Sequence, residues 1–251
     1  MSHPSPPPLG AGRIVAQSFG LLLAKFSTVF PMAFVPALAL SLLNRAAWPA
    51  APMAEGGEAA MPAVPSFGAL MLGSLSMVLS YFVVGVLCLV ALDAVIGKTH
   101  SVGQYARQAA RHLLPIAVLG IVISVLAGLG FALLIVPGLY VVARFLPWVE
   151  AVVFENSGWR GLGRAQELTE GYRWQLAGAV LLMGVVIVGL AMLAGSALYA
   201  VENNFALSVL VESFVSAIYY ALFAIFTALV YARLREVKEG VSVEQIAASI
   251  G

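Results

Sequence analysis

Between Phe67 and Ile96 only Asp93 carries a charge, and nearly every other side chain is apolar. That run exceeds the roughly 20 residues an α-helix needs to cross the hydrocarbon core of a bilayer. Five more apolar stretches accompany it, at residues 28–43, 113–136, 139–154, 175–199 and 206–232. One soluble core could not bury so much. Hydrophobic residues make up 61% of the chain and charged residues 10%, and mean hydropathy is +0.98. A globular chain carries about 45–50% and about 25%. Lipid is therefore the second solvent. The chain is predicted to be an all-α membrane protein with six transmembrane helices. The divisions expected are a disordered Pro/Gly-rich tail (1–12), a single membrane domain (13–238) and a short polar tail (239–251).

Segments between the spans carry the cations and have helical periodicity. Residues 13–26 place Ile14, Val15, Ser18 or Phe19, Leu22 and Phe26 on one side, with Arg13, Gln17 and Lys25 mostly elsewhere. Residues 101–112 open on Ser101 and Gln104, a capping box in which each side chain satisfies the other's backbone amide. Arg107, Gln108 and Arg111 then share a polar face, opposite Val102, Tyr105, Ala109 and Leu113. Residues 157–172 set Leu162, Ala165, Leu168 and Tyr172 against Arg160, Arg164 and Glu167. Each is expected to lie in the membrane interface on its apolar face. The layout is then three hairpins, each preceded by an amphipathic helix. Pro137-Gly138 is expected to form the tight reversal before the fourth span, Gly supplying the positive φ. Gly178, Gly184, Gly189 and Gly195 are expected to let the fifth span pack closely. Residues 44–65, with four prolines, form an irregular loop outside the bilayer.

Cation placement orients the spans. With a cytoplasmic N-terminus, eleven of the 13 Lys and Arg residues face inward. The exceptions are Arg45, near the outer end of the first span, and Arg144, inside the fourth. Both termini are expected on the cytoplasmic side of the membrane.

The stretch PGLYVVARF…VVFE, the segment GLGRAQELTEGYRW and the later YARLREVKEG resemble bacterial membrane proteins of the YciC-like and glycerophosphoryl-diester-phosphodiesterase membrane-domain type. The positions that carry the likeness are Pro137, Gly138, Arg144, Glu155, Leu162, Arg164, Leu168, Gly171, Trp174, Tyr231, Leu234, Arg235, Glu239 and Gly240. Ala165 replaces the usual Ser, and Glu150 lies where that helix is normally uncharged. The resemblance covers about 100 residues and implies a six-helix inner-membrane protein. The phosphodiesterase domain fused to some relatives has no room here, so its activity is not implied.

Chemistry is sparse. GxSxG, HExxH, P-loop and CxxC motifs are missing, the lone Cys88 precludes an internal disulfide, and a net charge of +1 argues against nucleic acid. No enzyme, cofactor or metal is expected. Candidate contacts to anionic headgroups are Arg107, Arg111, Arg160, Arg164 and Arg173. Charged groups inside spans are Arg144, Glu150 and Glu212, and burying them demands a partner or a task. Counting from Gly138 puts Arg144 about 9 Å in from the outer end, near the depth of Glu212, so the two are expected to pair. The favoured reading is a non-catalytic protein that organises anionic lipid or a membrane-protein partner through its basic helices. The alternative is a transporter or channel subunit for a small solute or lipid, using Arg144, Glu150 and Glu212. A lipid-modifying enzyme lacks a visible nucleophile or metal set. Nothing in the sequence sets the oligomeric state.

Overall fold

The computed structural model describes residues 9–47, 66–97, 100–201 and 203–241. The 44–65 loop beyond residue 47 and Lys98 lie outside the described residues. So do most of both tails.

All regular structure among the described residues is helical: α1 (Ala11–Ala24), α2 (Phe26–Ala47), α3 (Phe67–Ile96), α4 (Val102–Arg111), α5 (Leu113–Leu133), α6 (Ile135–Phe145), α7 (Trp148–Phe154), α8 (Gly161–Thr169), α9 (Arg173–Ala200) and α10 (Phe205–Glu239). Six segments are long and apolar enough to cross a membrane: α2, α3, α5, the α6–α7 pair, α9 and α10.

The bundle is assembled around α10, which packs on α1, α2, α3 and α9. Ala217, Ala221, Ala224 and Ala228 recur every three or four residues along it and are all buried. A stripe of small side chains lets neighbouring backbones approach. Outward faces stay apolar: Leu129 and Leu133 of α5 and Met192 and Leu193 of α9 are exposed, as lipid-facing positions would be. Helix α1 buries Ile14, Val15, Ser18 and Leu22 and packs on α9 and α10, so the side expected to rest on the membrane is covered by the bundle. Phe26 instead opens α2, because the chain breaks at Lys25.

Two connections differ from expectation. The reversal before the fourth span falls at extended Leu134 (φ −166°, ψ 161°), not at Pro137-Gly138. Pro137 and Gly138 lie in the first turn of α6, where a missing N–H costs nothing. Gly138 has no positive φ; it is needed for close approach. A Cβ there would sit 2.4 Å from the Phe131 ring, and one on Gly130 would sit 2.8 Å from Gly138 Cα. The second difference is in α9. A Cβ at Gly178, Gly184, Gly189 or Gly195 would meet nothing within 4 Å, so these glycines make no close helix contact among the described residues.

The fourth span bends at Leu146–Pro147, which separates α6 from α7. The segment 157–172 is also shorter as a helix than expected. A 3-10 turn (Gly158–Arg160) precedes α8, and Gly171 in the left-handed region (φ 83°) ends it.

Candidate functional site

Helix α8 carries Arg164 between the end of α7 and the last turns of α10, and there the polar residues of the resemblance motif meet. Arg164 Nε donates to Glu155 Oε2 at 2.5 Å, and Arg235 Nη1 and Tyr231 Oη each donate to Glu155 Oε1 at 2.9 Å. Glu239 closes the cluster by accepting from Arg164 and by an ion pair in which its Oε2 lies 2.5 Å from Arg235 Nε. Burial alone would lower the Arg164 guanidinium, but the Glu155 and Glu239 carboxylates outweigh it and hold it above its usual value. Residues spread from 155 to 239 thus clamp α7, α8 and α10 together. Arg164 is consequently engaged inside the protein.

Other arginines are engaged too. Arg173 Nη1 donates to the Tyr140 hydroxyl at 3.2 Å, and Trp174 packs its ring against Tyr140 at 5.6 Å. Arg160 borders a shallow depression between Ser157 and Glu167.

Arg144 and Glu212 do not pair. Glu212 Oε2 accepts from Arg45 Nε at 3.0 Å, and the Arg45 guanidinium also lies over the Phe205 ring. Arg144 Nη2 donates to Gln166 Oε1 at 2.6 Å, while its carbonyl accepts from Thr169 Oγ1 at 2.8 Å. Both of its contacts belong to α8. Glu212 and Arg235 lie 23 residues apart on α10, about 35 Å at 1.5 Å per residue. The Arg45–Glu212 pair and the α8 cluster therefore mark opposite ends of the bundle, and Arg144 belongs with the second. The depth count failed because its starting point, a turn at Gly138, was wrong.

Glu150 of α7 is fully buried, and neither carboxylate oxygen has a hydrogen-bond partner among the described residues. Thr227 and Cys88 lie beside it and approach each other at 3.9 Å.

Helix α4 is anchored by Tyr105 and Ala109, which are buried, while Arg107 and Arg111 are exposed. The expected cap is present, with Gln104 Oε1 accepting from Ser101 N–H at 2.8 Å. Tyr105 Oη donates to Asp93 Oδ2 at 2.6 Å and accepts from the His100 amide at 3.0 Å; His100 Nδ1 meets the same Asp93 oxygen at 2.5 Å. Burial and the Asp93 hydrogen bond push the Tyr105 phenol up to about 12. Beside this anchor is a cavity of about 420 Å³ lined by His100, Gln104, Arg107, Gln108, Arg111 and His112, among others. Asn156, in the left-handed region at φ 50°, also borders it. Neither Arg107 nor Arg111 has an acidic partner among the described residues, unlike Arg45, Arg164, Arg233 and Arg235. An anion is what that cavity can hold.

Tyr105→Phe removes both hydrogen bonds of the anchor and leaves the buried Asp93 carboxylate a donor short. It is expected to destabilise the protein by about 1–3 kcal/mol, measured by thermal unfolding in detergent. The phenol stands above its ordinary 10 when folded, so its contribution is complete below pH 10 and is lost as pH rises through about 12. The gap between wild type and Tyr105→Phe should accordingly stay constant from pH 6 to pH 9. A gap that closes within that window would rule the anchor out.

Fold and site together define an all-α chain with six helices long and apolar enough to cross a membrane, an internal ion cluster and a basic cavity. Comparison with protein-family models, with curated proteins and with solved structures gives no match.

Proposed function

We propose that this chain is a non-catalytic, multi-pass protein of a bacterial inner membrane that binds anionic lipid headgroups at the basic face of α4. In this reading the six spans form three hairpins, α1, α4 and α8 lie at the cytoplasmic interface, and both termini face the cytoplasm. The observation that carries it is the α4 cavity, whose two arginines have no carboxylate partner among the described residues. The other headgroup candidates are weaker, since Arg164 and Arg173 already have partners. The two exceptions to the charge rule also lose force. Arg45 is paired with Glu212, and Arg144 contacts α8.

A transporter would draw on Glu150 alone, because Arg144 and Glu212 are engaged apart from each other.

The test is lipid retention. A basic residue near an anionic surface contributes about 1 kcal/mol, so Arg107→Gln with Arg111→Gln should weaken retention of phosphatidylglycerol roughly 30-fold, read by native mass spectrometry. Unchanged retention would reject the headgroup reading.

A further inference from the structure

On the other side of α4 lies a second space, and its walls are apolar. It is a crevice of about 590 Å³ bounded by Pro31 and Val35 of α2, Val83 and Val86 of α3, and Val102 and Ala106 of α4. Thr28 and Met32 line this crevice and also a narrow gap of about 50 Å³, which Lys25, His100 and Tyr105 complete. His100 and Tyr105 in turn line the basic cavity beside Arg107 and Arg111. The narrow gap therefore shares lining residues with the apolar crevice on one side and with the basic cavity on the other, and Lys25 stands at it.

We propose that the crevice between α2, α3 and α4 seats one acyl chain of an anionic glycerophospholipid, with its phosphate at the Lys25–His100 mouth. This rests on the headgroup reading above and extends it to a defined lipid site.

Length supports the match. From Lys25 to Pro36 is eleven residues, about 16 Å along the helix, and one leaflet of a ~30 Å hydrocarbon core is about as deep. Charge supports it as well. Lys25 has no acidic partner among the described residues, and Asp93, the acid beside the gap, already accepts from Tyr105 and meets His100. The crevice also offers an acceptor. Pro31 supplies no N–H to the carbonyl of Ser27, a residue that lines the crevice, so a headgroup hydroxyl can donate there. A free inorganic anion would use the mouth and leave the slot empty; an amphiphile uses both.

The experiment uses the full chain in nanodiscs containing phosphatidylglycerol with a photoactivatable group on one acyl chain, followed by peptide mapping. Label should concentrate on residues 28–36 and 82–86. Val35→Trp, at a position 68% exposed, fills the slot from α2 without entering the core, and Ala106→Trp fills it from α4. Each should cut labelling there about tenfold. Lys25→Gln should weaken retention about fivefold, and a phosphatidylcholine probe should label the slot weakly. Label spread evenly over the exposed faces of α5 and α9, or equal labelling by the two lipids, overturns the proposal. If Val35→Trp and Ala106→Trp change nothing while the Arg107/Arg111 double variant loses lipid, headgroups bind but the seat is wrong. If the tryptophans abolish labelling and the arginine variant retains lipid, the seat stands on Lys25 and the headgroup reading falls.

Discussion

Glu155→Ala is expected to destabilise the protein by about 3 kcal/mol, the largest effect of any single side-chain truncation here. Its carboxylate receives hydrogen bonds from Arg164, Arg235 and Tyr231. Deleting it leaves two guanidinium groups side by side, only 25% and 18% exposed. Removing one partner of a buried ion pair costs about 3–5 kcal/mol, and partial exposure moves this case toward the lower end. Glu167 is the internal control. It also faces Arg164, but at 3.6 Å and with 71% of its side chain exposed, so Glu167→Ala should cost under about 1 kcal/mol. Equilibrium unfolding in mixed micelles, followed by circular dichroism, separates the two. Equal losses would mean that the cluster does not clamp α7 and α8 to α10.

Gly130→Ala should be the next most damaging change, at about 1–3 kcal/mol. The added methyl would lie 2.8 Å from Gly138 Cα, and backbone cannot rotate away, so α5 and α6 must separate. Gly120→Ala should cost less. Its methyl would strike the Tyr81 ring at 2.3 Å, but that side chain can swing aside at the expense of its 2.8 Å contact with Ser124. Gly184→Ala should be neutral or stabilising by up to about 1 kcal/mol, because nothing lies within 4 Å and alanine is the better helix former. The three variants therefore rank 130, 120, 184 in loss of thermal stability. A Gly184→Ala variant as damaged as Gly130→Ala would place a close neighbour on α9 and revise the bundle.

Sequence reasoning succeeded where the determining physics is local. Six apolar runs follow from partitioning each side chain between water and lipid, which needs no knowledge of neighbours. The Ser101–Gln104 cap joins residues three apart, and which side chains of α1 share one side follows from helical spacing within a single element. One signal was present but passed over: the alanines at 217, 221, 224 and 228, which mark α10 as the central helix.

Partners, by contrast, belong to the tertiary structure. Counting residues along a helix gives depth but not azimuth, so it could not choose between Arg45 and Arg144 as the partner of Glu212. It also inherits any error in where the helix begins, and here α6 begins after Leu134 and α7 restarts after Pro147. The same limit hid the role of the glycines. A glycine in a sequence signals permission for close approach, but only the packed neighbour decides whether that permission is used, as it is at Gly130 and Gly138 and is not at Gly184. Amphipathic spacing likewise marked Arg107, Arg111 and Arg164 as one kind of residue. The fold placed Glu155 and Glu239 beside Arg164 and no described acid beside Arg107 or Arg111. Which cations remain open to an anion depends on where distant carboxylates arrive, and that is settled when the helices pack.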